Sequence, residues 1–202
     1  MGSYLKDEQK KNIQNFYPKD RPLIFGHRGS PTKIIENTIA SFKKATEQGV
    51  DGLEFDIRLS KDKEIVIFHD SDLKRLAGVD KKIKHLTAQE LKDTKLKQNE
   101  KIPLLEEIVP LIEKIKVVNI EIKSDGLFQG HSIVTPLIQF LDKQNIDEKC
   151  IVVAPQCLRD AREGGRGSWK YEELNEWLKQ LKSTLPIDDK RIYLMGNRCF
   201  FP

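Results

Sequence analysis

The stretch that decides the fold is GLEFDIRLSKDKEIVIFHD, residues 52–70. Its first half alternates, with Glu54 and Asp56 two positions apart and apolar Leu53 and Phe55 beside them. Residues two apart in an extended strand point to the same face, so both carboxylates share one side. Two carboxylates in a covered strand repel each other unless a cation joins them, and a divalent ion with oxygen ligands is the economical solution. The stretch therefore predicts a covered strand that presents a metal site.

His69 ends the apolar second half of this stretch, and its spacing from the acids limits where it lies. Only twelve residues separate Asp56 from His69, too few for a strand, a full helix and a return. If SKDK (60–63) forms a tight turn, the two segments pair and His69 lies beside Phe55. If the strands are instead parallel with a short return, their ends still lie at the same edge of the sheet. Either arrangement brings His69 near the carboxylates, although a lone histidine after a strand is more often structural.

The surrounding segments alternate between strand and helix patterns, which predicts an α/β protein, either a barrel or an open sheet. PLIFGH (22–27) reads as a strand, and ENTIASFKKATEQG (36–49) reads as an amphipathic helix with Asn37 or Thr38 as its cap and Gly49 at its end. Further patterns predict three helices and one strand: helices over 87–96, 103–116 and 132–145, and a strand over 117–123.

Two more groups of charged side chains sit where strands end. His27 and Arg28 follow the first strand, and loops at the ends of rigid strands commonly carry chemistry. Glu121 supplies a third carboxylate in the strand NIEIK. Taken alone, Glu121 is better explained by an ion pair with Lys123.

Five motifs together resemble the glycerophosphodiester phosphodiesterase family. GHRG, ENT, LEFDIRLSKDKEIVIFHD, IPLLEEI and NIEIK occur in the family's order and near its spacing, over roughly residues 21–150. The resemblance implies a (β/α) barrel of the TIM type, within the phospholipase-C-like phosphodiesterase superfamily. It also implies hydrolysis of a small-molecule glycerophosphodiester to an alcohol and glycerol 3-phosphate, with a divalent metal.

The same resemblance implies a role for each charged side chain at the strand ends. Two histidines would form an acid–base pair, three carboxylates would hold Ca²⁺ or Mg²⁺, and two cations would contact the phosphate: His27 and His69; Glu54, Asp56 and Glu121; Arg28 and Lys123. Cations neutralise the charge that builds on a phosphodiester, and histidine, with an ordinary pKa of about 6.5, both gives and takes protons near neutral pH. The attacking group is left open between water and a glycerol hydroxyl of the substrate.

The C-terminal quarter resembles a different family. A complete barrel has eight strands and typically ~250 residues, whereas this chain reaches about four strands by Glu121. APQC (154–157) and IDDKRIYLMG (187–196) resemble the early part of an esterase of the α/β-hydrolase fold. Arg198 stands where the serine of that fold's G-x-S-x-G turn belongs.

These resemblances predict four segments and an incomplete barrel. An N-terminal tail would be followed by a truncated phosphodiesterase domain, a foreign α/β segment and an out-of-register tail, over residues 1–20, 21–150, 151–196 and 197–202. Half a barrel has open strand edges, so a homodimer of half barrels is one prediction. The competing functions are an active metal-dependent phosphodiesterase, a catalytically dead remnant of that family and, disfavoured by the missing serine, a carboxylesterase. A binding module that keeps the metal site without turnover has no positive support.

Composition indicates which partners and which cellular location to expect. The net charge of +4 is spread over scattered lysines, which argues against a dedicated nucleic-acid surface. No apolar stretch approaches the ~20 residues of a membrane span, and residues 1–15 lack the apolar region of a signal peptide. Three cysteines late in the chain suit a reducing setting. The sequence therefore predicts a cytoplasmic protein without a stable membrane anchor.

Overall fold

The computed structural model describes residues 21–123, 130–144 and 150–155. Within them, five strands form one sheet: β1 Phe25–His27, β2 Gly52–Leu59, β3 Ile65–Ile67, β4 Val117–Ile122 and β5 Cys150–Pro155. Four strands are parallel in the order β1-β2-β4-β5, and β3 pairs antiparallel with β2. Parallel strands in chain order with helices between them are the β/α arrangement, so the predicted α/β class is confirmed.

Five α-helices and three short 3₁₀ helices occur in the described ranges. The α-helices are α1 Ile39–Glu47, α2 Lys74–Ala77, α3 Ala88–Asp93, α4 Val109–Ile112 and α5 Gly130–Lys143, and the 3₁₀ helices are Ile83–His85, Lys97–Asn99 and Leu105–Ile108. Among these helices, none combines the length and the apolar character needed to cross a bilayer.

Two of the predicted elements differ from the structure. The helix predicted over 103–116 divides into the 3₁₀ turn Leu105–Ile108 and the four-residue α4, because Pro110 has no N–H to continue a helix and is tolerated only in a first turn. The strand predicted over 22–27 begins only at Phe25, and Ile24 is about half exposed.

The tight-turn alternative for residues 60–63 is confirmed. Ile57 pairs with Ile67 across a two-stranded hairpin, and the Ser60 N–H donates to the Glu64 carbonyl at 3.0 Å. The ladder continues one step past β3, because the Phe68 N–H donates to the Asp56 carbonyl at 2.9 Å. His69 is the next residue, so the hairpin brings it to the end of β2 that carries the acids.

Two hydrophobic clusters support this hairpin from opposite sides. The main core joins apolar residues of β2 and β4 to α1, α4 and α5, and it includes an edge-to-face contact of Phe42 with Phe55 at a ring separation of 5.8 Å. The second cluster lies under the segment 68–102 and holds Phe68, Leu91 and Ile102, among others. The segment that follows His69 therefore has a small core of its own.

Several sequence-based predictions fall on residues outside the described ranges. The N-terminal tail 1–20, most of the esterase-like segment, the Arg198 position and the tail 197–202 all lie there. They stay predictions from the sequence.

Candidate active site

Strand register brings the three predicted acids together. Asp56 on β2 is the direct partner of Glu121 on the parallel strand β4, and Glu54 precedes Asp56 by two residues on the same face. Carboxylate oxygens of the three residues all lie within 4.8 Å of one another. Glu54 and Asp56 are buried and Glu121 is half-buried.

The environment shifts the pKa values of the two buried acids in opposite directions. Burial, followed by the neighbouring Asp56 charge, raises the pKa of Glu54 to about 7. Burial also acts to raise the pKa of Asp56, but the Lys123 charge and hydrogen bonds from Asn37 and Lys123 outweigh it and lower that pKa. The pair therefore carries less than its full negative charge at neutral pH unless a further cation joins it.

The donor set fits a divalent ion. Glu54 Oε1 and Asp56 Oδ1 are fully buried. Glu54 Oε1 accepts no hydrogen bond from the described residues, and the cation beside Asp56 Oδ1 is the Lys123 ammonium, at 3.0 Å. Buried carboxylate oxygens normally have such partners. Oxygen ligands from carboxylates are those that Ca²⁺ and Mg²⁺ take. Glu54, Asp56 and Glu121 could therefore hold one of these ions.

Lys123 lies at the same cluster, one residue beyond the end of β4. Its buried Nζ is 3.0 Å from Asp56 Oδ1 and 2.5 Å from Glu121 Oε1. The sequence offered an ion pair with Lys123 and a place in the acidic cluster as competing explanations of Glu121. The structure shows both at once.

His27 and Arg28 lie where β1 ends, beside the acids of β2. His27 is the register partner of Glu54, and its Nε2 lies 3.7 Å from Glu54 Oε2. Its side chain is 66% exposed, so it is open to a ligand. Partial burial and the adjacent Arg28 charge lower the pKa of His27, which favours its neutral form at pH 7.

In the turn at Arg28, the backbone N–H and the guanidinium of this residue contact different acids. Arg28 has a φ of 55°, and its N–H donates to both the backbone carbonyl (2.9 Å) and Oε2 (3.0 Å) of Glu54. Its Nε lies 3.1 Å from Asp56 Oδ2, and its NH1 donates to Glu36 Oε1 at 3.1 Å. Gly29 follows with a φ of 88° against the backbone of Ser41, so this turn has no room for a side chain there.

His69 is held by both its backbone and its ring. The Arg58 guanidinium donates to the His69 carbonyl from Nε at 3.0 Å and from NH2 at 2.7 Å. The ring Nδ1 lies 2.7 Å from Asp70 Oδ1. Burial acts to raise the pKa of Asp70, but its contacts with Arg75 and His69 outweigh burial and lower that pKa. An ionised carboxylate only accepts hydrogen bonds, so His69 donates to Asp70 from Nδ1, which leaves Nε2 for other partners.

Sequence reasoning missed several polar residues around the site. Asn37 was a candidate helix cap, but Thr38 caps α1, with its side chain accepting from the Ser41 N–H. Asn37 is instead buried and donates from Nδ2 to Asp56 Oδ2 at 2.8 Å. Glu36, Asp70 and Arg58 also contact predicted site residues, and Arg75 contacts Glu36 and Asp70. The available signal was the density of charged residues in the loops directly after β1 and β3.

Comparisons with known proteins identify relatives of this chain. The Glycerophosphoryl diester phosphodiesterase family profile matches residues 27–160. A glycerophosphodiester phosphodiesterase of Caldanaerobacter subterraneus subsp. tengcongensis is 39% identical over 140 residues, which cover 65% of this chain and 57% of that protein. A glycerophosphodiester phosphodiesterase of Bacillus altitudinis is 31% identical over 138 residues, covering 64% of this chain and 56% of that protein. The chain thus spans somewhat more than half the length of these curated relatives.

Solved structures extend the comparison to the fold. An Oleispira antarctica phosphodiesterase in complex with the product sn-glycerol-3-phosphate aligns with a TM-score of 0.62 at 29% identity, covering 70% of this chain and 59% of that one. A glycerophosphodiester phosphodiesterase of Thermotoga maritima aligns with a TM-score of 0.55 at 29% identity, covering 80% and 71%. Because the family profile matches about two thirds of the sequence and the site residues fall within that match, the chain belongs to the glycerophosphoryl diester phosphodiesterase family.

Proposed function

We propose that this protein hydrolyses glycerophosphodiesters to an alcohol and glycerol 3-phosphate, with Ca²⁺ or Mg²⁺ held by Glu54, Asp56 and Glu121. The observation that carries the proposal is the cluster of three carboxylates on adjacent parallel strands, bordered by Arg28 and Lys123. The product named for the Oleispira antarctica relative supports the same substrate class.

A phosphodiester anion needs positive charge around its non-bridging oxygens. When bound, the divalent ion polarises the phosphoryl group as a Lewis acid. Arg28 contributes a planar guanidinium beside Asp56, and Lys123 contributes a buried ammonium between Asp56 and Glu121. Fixed cations of this kind stabilise charge as it develops, without having to reorient during the reaction.

The two histidines supply the proton transfers in this proposal. His27 has a lowered pKa and is largely exposed, so at neutral pH its ring is able to accept a proton from the attacking oxygen. His69, when it carries protons on both ring nitrogens, donates from Nε2 to the leaving alkoxide and is left as the Nδ1–H tautomer that Asp70 holds. The attacking oxygen belongs either to water or to a glycerol hydroxyl of the substrate.

The segment divisions stay predictions. The family match runs to residue 160, ten residues past the predicted boundary at 150, and β5 pairs with β4 in the same parallel sheet. Residues 156–202, which carry most of the resemblance to an esterase, lie outside the described part of the chain. The incomplete barrel, the homodimer and the cytoplasmic location likewise stay predictions from the sequence.

The test is release of glycerol 3-phosphate from glycerophosphocholine or glycerophosphoethanolamine by the purified chain. The assay is run with Ca²⁺, with Mg²⁺ and with a chelator, beside His69→Ala and the matched control His85→Ala, which changes a histidine of a 3₁₀ helix. Turnover that needs the metal, survives His85→Ala and is lost in His69→Ala supports the proposal. Folded protein that shows no turnover with either metal refutes it and favours a catalytically dead member of the family.

A further inference from the structure

Arg75, at the start of the short helix α2, contacts two carboxylates with three of its nitrogens. Its Nε donates to Asp70 Oδ2 at 2.6 Å, its NH2 donates to Glu36 Oε1 at 2.6 Å, and its NH1 donates to Glu36 Oε2 at 3.2 Å. Glu36 follows β1 and Asp70 follows β3, so one guanidinium joins two loops that are far apart in the chain.

Each of the two carboxylates also contacts one residue of the proposed site. Asp70 Oδ1 lies 2.7 Å from His69 Nδ1, and Glu36 Oε1 accepts from Arg28 NH1 at 3.1 Å. The contacts therefore run without interruption from the His69 ring, through Arg75, to the Arg28 guanidinium. Arg28 in turn lies 3.1 Å from Asp56.

This network differs from an ordinary pair of surface charges. The Glu36 and Asp70 side chains are only 14% and 22% exposed. The Arg75 side chain, which contacts both of them, is 47% exposed. An exposed single ion pair contributes little because both side chains lose freedom and water screens the charge. A guanidinium that binds one carboxylate with two nitrogens and a second with the third nitrogen has a fixed plane and a fixed direction. A lysine ammonium has no such planar fork.

We propose that Arg75 is a positioning residue for the phosphodiesterase reaction, which acts by holding Asp70 against the His69 ring and Glu36 against the Arg28 guanidinium. The inference rests on the proposed function of this site. In this proposal the Arg75 side chain joins the loop after β1 to the loop after β3, and it does not itself contact the three clustered acids.

Loss of Arg75 leaves both carboxylates without their shared donor. Asp70 then has no partner that fixes Oδ1 toward the ring, and the neutral His69 ring is free to take the Nε2–H tautomer. Glu36 keeps Arg28 as its cation but loses the donor that fixes its orientation. Misplacement of reacting groups by a fraction of their spacing lowers rates by up to about a hundredfold. We expect Arg75→Gln to lower kcat/KM by about tenfold to a hundredfold, mostly through kcat.

The first experiment observes the His69 ring directly and does not depend on turnover. The ¹⁵N spectrum of the imidazole nitrogens is recorded above the ring's titration range, with His69 assigned from its alanine variant. The wild-type ring is expected as the Nδ1–H tautomer, and Arg75→Gln is expected to shift it toward Nε2–H. Arg75→Lys, which keeps the charge but not the fork, is expected to shift it partly. The matched control is Arg21→Gln, because Arg21 binds Asp51 with two nitrogens at 2.6 and 2.8 Å, away from this network.

The second experiment is a double-mutant cycle of Arg75→Gln and Asp70→Asn on kcat/KM. If Arg75 acts through Asp70, the second substitution costs much less in the presence of the first. An unchanged tautomer in Arg75→Gln overturns the proposal, and so does a fully additive cycle. If the wild-type chain shows no turnover, the proposed function fails while the ring tautomer still decides whether Arg75 orients His69. Should Arg75→Gln fail to fold, Arg75→Lys decides the outcome by the same two measurements.

Discussion

Replacing Glu54 by glutamine isolates the pH dependence that a buried carboxyl imposes on folding. Glu54 has a pKa raised from 4.5 to about 7, first by burial and then by the Asp56 charge. The folded state therefore holds a proton that the unfolded state has already lost between these two values. Stability from this group is fully present below pH 4.5 and is lost as the pH rises to about 7.

The magnitude follows from the size of the shift. A pKa difference of one unit corresponds to about 1.4 kcal/mol, so the rise from 4.5 to about 7 is worth roughly 3 kcal/mol of unfolding free energy in the metal-free protein. Glutamine keeps the shape and an oxygen that accepts the Arg28 N–H but does not ionise. The wild-type chain should therefore lose stability relative to Glu54→Gln by roughly this amount between pH 5 and pH 8.

The assay is urea unfolding followed by circular dichroism at pH 5, 6, 7 and 8, in chelator. Each wild-type value is compared with that of Glu54→Gln at the same pH, which removes the titration of all other groups. The control is Glu47→Gln at the exposed end of α1, the same substitution made outside the acidic cluster. Added Ca²⁺ should reverse the trend for the wild type, because the ion binds the ionised carboxylate and stabilises the folded state more at pH 8 than at pH 6. A wild-type minus Glu54→Gln difference that stays flat from pH 5 to pH 8 would refute the assignment of a strongly raised pKa.

Three further substitutions, one of them with a matched control, test the metal site, the turn and the second cluster. Asp56→Asn should weaken Ca²⁺ binding by more than about tenfold in calorimetric titration, since even disturbing an outer partner of a ligand commonly costs that much; unchanged affinity would place the ion elsewhere. Gly29→Ala should lower the unfolding free energy by about 2–4 kcal/mol, because its Cβ would meet Ser41 and the φ of 88° disfavours a side chain. Gly49→Ala shares the positive φ without the clash and should cost only about 1–2 kcal/mol, and equal losses in urea unfolding would contradict the steric argument. Leu91→Ala removes a fully buried side chain of the second cluster and should cost about 2–5 kcal/mol in thermal or urea unfolding; a loss under 1 kcal/mol would show that this cluster is loosely packed.

Local patterns predicted the elements that depend on neighbouring residues. The period-two spacing of Glu54 and Asp56 placed them on one face, and the short SKDK segment allowed the hairpin that delivers His69. Both features are settled within about twenty residues of chain, where geometry leaves few alternatives. The broken helix at Pro110 was equally local, and weighing the missing N–H of that proline would have predicted it.

Contacts between distant segments were not available from the sequence in the same way. The pairing of Asp56 with Glu121 depends on the register of β2 against β4, which the whole parallel sheet determines. The bond from Arg75 to Glu36 spans 39 positions, and nothing in either local pattern selects the partner. Asn37 fitted a capping role by residue type, and only the tertiary fold directs it to Asp56 instead.

The small hydrophobic cluster under residues 68–102 supports part of the proposed active site separately from the main core. Cooperative units within a protein open by sub-global unfolding, with free energies below that of the whole molecule. His69, Asp70 and Arg75 belong to the segment that this cluster supports, whereas Glu54, Asp56 and Glu121 belong to strands of the main core. On mild heating we therefore expect His69 to be displaced while the three carboxylates remain in place, so that ion binding at the proposed site would outlast the proposed hydrolysis.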